Sequence, residues 1–173
     1  MNSQRGSSQL LQPVSRLVVG IAEFRVSKDR TQSIITHALG SCLGITVFDE
    51  VAGVGGMLHV MMPDSKVALD RAEAFPATFV DTGLPLLFKS SYALGASKSR
   101  MVLKVAGGAS FGDEAQDVFQ IGKRNMVALR KMLWKNGVMI KAEDTGGHES
   151  RTLELELGTG RVTVRSGGEL REL

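Results

Sequence analysis

The sequence predicts an α+β fold, a single-domain layered sandwich of mostly antiparallel strands with two main helices, and three observations carry that prediction. Short apolar or alternating runs bounded by glycine recur along the chain, two windows have helical spacing, and strands and helices do not alternate in the regular manner of a doubly wound sheet. At 173 residues with 43% hydrophobic residues, the chain can bury one substantial core. Residues 16–173 are therefore expected to form one domain behind a flexible tail of residues 1–15, which is rich in Ser, Gln and Asn.

Leu17 to Val26 is apolar and β-branched and reads as one strand ending at the Ser27–Arg30 turn. Ser33 to Ala38 reads as a second. Leu43, Ile45 and Val47 then alternate with Gly44, Thr46 and Phe48, the period of a half-buried strand, with Cys42 at its entrance. Val54 to Met62 is another strand, in which Gly55 and Gly56 allow a bulge or a close backbone approach. Arg71 to Ala96 is helical material interrupted by Pro76 and Pro85, so the main helix is placed from Leu84 to Leu94, with Pro85 in its first turn. Met101 to Ala106 is a short apolar core strand before the Gly107-Gly108-Ala109 loop. Met126, Leu129 and Leu133 recur at helical spacing within Ile121 to Lys135, and Gly137 supplies the stop. Val138–Ala142, Thr152–Leu157 and Arg161–Arg165 read as strands, the last two joined by a Gly158-Thr159-Gly160 hairpin.

Composition excludes several classes. No apolar run approaches the roughly 20 residues of a membrane helix, and the N-terminus lacks the apolar core of a secretory signal, so the expectation is a cytoplasmic protein without membrane insertion. A net charge of +3 spread over 21 basic and 18 acidic residues, with 5% aromatics, argues against nucleic-acid binding. The one cysteine, Cys42, can form neither an internal disulfide nor a cysteine-based zinc site.

Cys42 is thus either a core residue or a reactive one. A nucleophilic thiol needs a base that hydrogen-bonds it and a third polar group that holds the base. The chain has three histidines. His37 and Thr36 are adjacent in a strand and face opposite ways, so one of them is a bystander; His148 sits in a Gly146-Gly147 loop that reads as exposed and mobile; His59, between Leu58 and Val60, reads as partly buried and fixed. Gly40, before Ser41 and Cys42, allows a tight turn that would present backbone N–H groups near the sulfur. Periodicity and spacing leave a second reading standing, in which Cys42 is a small buried hydrophobe and His59 a core histidine.

Four segments in order add to this: Thr36-x-x-Leu39-Gly40-Ser41-Cys42, Val54-Gly55-Gly56-Met57-x-His59-x-x-x-Pro63, Lys104-Val105-x-Gly107-Gly108-Ala109 and Ile121-Gly122-x-Arg124-Asn125. With Asp144-Thr145-Gly146-Gly147 and Gly158-Thr159-Gly160, they resemble the CheD family, the chemoreceptor glutamine deamidases, over about Leu17 to Ser166. The resemblance implies a Cys-His-Thr triad with Cys42 as nucleophile, His59 as general base and Thr36 orienting it, and leaves His37 as the bystander. It also implies Ser41, Gly40, Gly107 and Gly108 as substrate or oxyanion contacts, no metal or organic cofactor, and a fold similar to toxin-type cysteine deamidases. The implied substrates are glutamine side chains on the cytoplasmic domains of methyl-accepting chemotaxis receptors, hydrolysed to glutamate through a thioester, with methyl-ester hydrolysis open to the same route. A CheC-type phosphatase is an implied partner, and the alternative is a non-catalytic chemotaxis adaptor that docks to that phosphatase or to a receptor. Phe75-Pro76 and Gly147-His148-Glu149-Ser150 depart from the family pattern and bear on partner specificity.

Overall fold

The computed structural model describes residues 15–112 and 117–173, so all but the last residue of the expected tail lies outside the described residues. The elements run β1 (Ser15–Val18), β2 (Glu23–Ser27), β3 (Gln32–Leu39), β4 (Leu43–Asp49), β5 (Val54–Val60), α1 (Leu69–Ala74), α2 (Val80–Ala93), β6 (Val102–Gly107), α3 (Ile121–Lys135), β7 (Ile140–Thr145), β8 (Arg151–Glu156), β9 (Val162–Ser166) and β10 (Glu169–Glu172). The strands form two five-stranded sheets, ordered β1-β3-β8-β9-β10 and β2-β5-β4-β6-β7. All pairings are antiparallel except β1 with β3 and β6 with β7. The α+β class and the two main helices, α2 and α3, are as the sequence predicts.

The second sheet is the middle layer. On one side, Leu43, Ile45 and Val47 of β4 and Leu58 and Val60 of β5 pack against Leu84 and Leu87 of α2 and Leu129 and Leu133 of α3. On the other, Phe48, Met57 and Ala106 meet Ile34, Leu153, Leu155 and Val164 of the first sheet. Every residue of β4 and of β5 is consequently buried. The alternation in β4, read as a half-buried strand, is instead an alternation between two apolar interfaces.

Leu17 to Val26 is not one strand. The chain leaves the first sheet after Val18, crosses through Val19–Ala22 and enters the second sheet as β2. Ala22 has φ 59°, which ends any continuous extended run. The main helix begins at Val80 rather than Leu84, with Pro85 inside it. Val80, Leu84 and Leu87 share its buried face, and this apolar stripe carries the helix through a position that loses one backbone hydrogen bond. Helix α3 has the expected bounds, and Gly137 adopts φ 63° beyond its end. Strand β10 was not expected: all four of its residues are exposed, so no burial pattern marks it. The pair Gly167-Gly168 between β9 and β10, both at positive φ, is the turn signal for that hairpin. The segment around Phe75-Pro76, which departs from the family pattern, is the end of α1 followed by a single 3₁₀ turn over Pro76–Thr78.

Glycine sets the distance between the two sheets. A Cβ on Gly44, the residue directly across the ladder from His59, would lie 2.7 Å from Leu39 Cδ1 and 2.8 Å from Leu153 Cδ2, both in the first sheet. Gly55 likewise faces Leu157 and Leu155. Gly44→Ala therefore forces these leucines back, and we expect it to lower stability by about 1–3 kcal/mol, measured by urea denaturation, with a midpoint unchanged from wild type counting against this account of the sheet spacing.

Candidate active site

Thr36 and His59 come from the two sheets and meet in the layer between them, and Cys42 lies in the crossing that joins β3 to β4 at the edge of that layer. Thr36 is on β3 in the first sheet and fully buried; His59 is on β5 in the second and 1% exposed. The Thr36 Oγ1 to His59 Nδ1 distance is 2.8 Å, and the same hydroxyl donates to the Val19 carbonyl at 2.7 Å. A hydroxyl has one proton and a carbonyl has none to give. With that proton committed to Val19, Thr36 Oγ1 accepts from His59, so Nδ1 carries the hydrogen and Nε2 presents a lone pair. Nε2 is buried and has no hydrogen-bond partner among the described residues.

The crossing segment Val19–Ala22 holds this pair at two points. Besides the Val19 carbonyl on Thr36, the Ala22 N–H donates to the His59 carbonyl at 3.0 Å. Cys42 lies in the second crossing, between β3 and β4, half-buried and packed against the same inter-sheet core that holds Met57 and Leu39. It stands two residues before Gly44, the ladder partner of His59, and its sulfur makes no hydrogen bond to the imidazole Nε2.

Burial acts on both groups and makes each of them neutral. Desolvation lowers the His59 pKa to about 4 and raises that of the Cys42 thiol, the latter against a weaker opposing hydrogen bond from its own amide. At neutral pH the site rests as thiol and free imidazole. It does not rest as an ion pair.

The glycines named from sequence serve the backbone around Cys42. Gly108 N–H donates to the Cys42 carbonyl at 2.8 Å, and Ala109 N–H to the Gly40 carbonyl at 2.8 Å. Gly107 has φ 112° and lies so close to the Cys42 carbonyl that any Cβ would collide with it. Gly40 N–H is bonded to the Ala38 carbonyl at 2.9 Å. The amides of Gly40 and Gly108 are thus engaged, whereas that of Ser41 has no acceptor among the described residues and that of Cys42 meets only its own sulfur. Nor does Gly40 supply the special turn conformation, since the positive φ in this crossing is at Ala38, 56°. A Cβ at Gly40 would instead stand 2.6 Å from the ring of the exposed Phe111, which would have to move aside.

His37 and His148 fall outside the constellation. The strand alternation that buries Thr36 leaves His37 exposed, with Nδ1 3.4 Å from the Thr152 hydroxyl. His148 is exposed as expected, but it is anchored, Nδ1 lying 2.8 Å from the Ser110 carbonyl. It lines an open cleft of about 440 Å³ that also touches Gly108, Gly122 and Lys123. The Asp144–Gly147 turn braces the glycine loop, Gly146 N–H donating to Gly107 O and Ser110 N–H to Gly147 O. Sequence reasoning gave no role to Val19, Phe111 or Asn125; the first acts through its carbonyl, which no side-chain pattern reports, and Asn125 stood in a quoted motif without an assigned part.

A fold of two stacked sheets with a cysteine, a buried histidine and a threonine between them defines a candidate cysteine hydrolase. The model for the family described as CheD chemotactic sensory transduction matches residues 61–166. The chain is 50% identical over 158 residues, 91% of its length and 98% of the relative's, to the probable chemoreceptor glutamine deamidase CheD 1 of Syntrophus aciditrophicus. It is 44% identical to the probable chemoreceptor glutamine deamidases CheD of Solibacter usitatus, over 92% of this chain and 94% of that one, and of Pyrococcus abyssi, over 89% and 94%. The chain belongs to the CheD family. Among solved structures, a Neisseria meningitidis protein of family DUF152 aligns over 80% of this chain and 61% of its own, at 14% identity and a TM-score of 0.38, too distant to define a common fold.

The tautomer and the pKa are both measurable. We expect ¹⁵N NMR to report His59 as the Nδ1–H tautomer, unprotonated from pH 8 down to about 5 and titrating near 4. Because the unfolded ring takes its proton near pH 6.5 and the folded ring refuses it until about 4, stability is full above pH 6.5 and falls as the pH drops through that window, by on the order of 3 kcal/mol. His59→Gln should flatten this slope in denaturation midpoints taken from pH 7 to pH 4; an unchanged slope would assign it to other groups.

Proposed function

We propose that this chain deamidates glutamine side chains on the cytoplasmic domains of chemotaxis receptors, with Cys42 as nucleophile, His59 as general base and acid, and Thr36 as the group that fixes the imidazole. The observation that carries the reading is the buried Nε2 of His59, without a partner among the described residues, between the two sheets whose shared core the Cys42 side chain borders, in a chain of a family whose members are named for this activity.

In the scheme, Nε2 accepts the Cys42 proton as the sulfur attacks the amide carbon of the glutamine side chain. The carbonyl oxygen becomes an oxyanion, and the amides of Ser41 and Cys42 are its donors. His59 then passes its proton to the amide nitrogen, the C–N bond breaks, and ammonia leaves a thioester. Water attacks the thioester while Nε2 takes one of its protons; the C–S bond breaks and that proton returns to sulfur, so glutamate and the free thiol are regenerated. A glutamate methyl ester fits the same route with methanol as leaving group.

A threonine in the third position orients the ring and offers no negative charge to an imidazolium. Removing it should therefore cost less than removing the base, whose contribution is roughly 10² to 10⁴ in rate. Mass spectrometry of purified receptor cytoplasmic domains incubated with the protein should show glutamine converted to glutamate. Cys42→Ala should abolish the conversion, His59→Ala should reduce it by about 10³, and Thr36→Val by about tenfold. Conversion that survives Cys42→Ala would sink the proposal, and a chemotactic effect that survives it without conversion would favour the adaptor reading.

A further inference from the structure

The β4–β5 ladder ends at the pair Leu43–Val60, one residue short of the nucleophile. Beyond it the two chains part, and the carbonyls of Ser41 and Met61 have no strand partner. One side chain fills that gap. Asn125, on the buried face of α3 and 0% exposed, donates from Nδ2 to the Ser41 carbonyl at 3.1 Å and to the Met61 carbonyl at 2.9 Å.

Two carbonyl acceptors fix the orientation of the carboxamide, because only its nitrogen can donate to them. The consequence is unusual: Oδ1 faces protein interior with no partner among the described residues. What the arrangement secures is specific, since Ser41 immediately precedes Cys42 and Met61 follows His59 by two residues. The carboxamide therefore sets the distance between the backbone that carries the thiol and the backbone that carries the imidazole, at the point where the sheet no longer does so.

We infer that Asn125 is a positioning residue for the Cys42–His59 pair, a role that rests on the reading of those two residues as nucleophile and base. It touches neither substrate nor reacting atoms. Its loss leaves substrate binding in place and lets the nucleophile's crossing drift from the base, and a misplacement near 1 Å is worth about 10² in rate.

The test combines turnover with alkylation of Cys42 by iodoacetamide, which needs no receptor. Asn125→Ala should lower kcat for deamidation by about 10- to 100-fold with KM changed less than about threefold. Asn125→Ser, which keeps one donor, should fall between. At pH 7, His59→Ala should slow alkylation, Asn125→Ala should slow it to the same level, and the double variant should be no slower. Alkylation that speeds up in Asn125→Ala, or additive losses in the double variant, would mean that the residue only packs the region and would overturn the inference; so would failure of both Asn125 variants to fold. If His59→Ala leaves alkylation untouched, the base assignment itself fails, an outcome distinct from the failure of Asn125 alone.

Discussion

The chain of hydrogen bonds from His59 to Thr36 to the Val19 carbonyl joins the two sheets, and the geometry of the site depends on it. It exists only because the sheets approach closely enough for a threonine on one to reach a histidine on the other. That approach is bounded by side-chain volume at Gly44 and Gly55. A polar pair placed between two apolar faces is costly unless each donor and acceptor is used. Here every side-chain polar atom of the pair is used except Nε2.

Burial that fixes the ring also decides its charge. The same desolvation that brings His59 down to about 4 pushes the thiol up, so the resting site stores no thiolate. A catalytic aspartate in the third position would stabilise the imidazolium and draw the pair toward charge separation. Threonine supplies direction without charge. The proposed nucleophile is then activated only as the sulfur bonds to carbon, when proton transfer and attack proceed together. A thiol held in this way is a poor target for oxidants, which react with the thiolate, and this suits a cysteine meant for acyl chemistry in a chain with no second cysteine to resolve a sulfenic acid.

Much of this was legible in residues, and the illegible parts share a cause. Strands β3, β4 and β5 and helix α3 follow from local periodicity, and the parity of Thr36 and His37 followed from strand geometry before any coordinates. What sequence could not carry was layering. The alternation in β4 has the same appearance whether its second face meets water or another sheet, and the mostly apolar run from Leu17 to Val26 does not show that the chain changes sheets at Val19–Ala22, where Val19 alone is fully buried. Tertiary burial likewise overrode the signal of Pro85. Gly40 reads as a turn that presents amides near the sulfur, and the resemblance adds Gly108 as an oxyanion contact; in the structure both amides are bonded, a Cβ at Gly40 would meet the Phe111 ring, and Gly108 takes a left-handed conformation.

The position of the site follows from where order in the sheets gives out. All three proposed catalytic side chains stand beside crossings between sheets: Cys42 within one, Thr36 at the bulge in β3 that leads into it, and His59 under the other through the Ala22 amide. A regular ladder would present each strand's backbone groups only to its neighbours, leaving none for a substrate oxygen. At a crossing, the amides of Ser41 and Cys42 are released from the ladder, while the strands on either side remain locked in the two cores. Rigid flanks with a few liberated donors are what electrostatic stabilisation of an oxyanion requires, since donors that must reorient during the reaction forfeit most of their effect. The glycine loop at Gly107–Ala109 completes the arrangement by occupying the carbonyls of Gly40 and Cys42, which leaves the N–H side of the crossing as the one free to meet a developing negative charge.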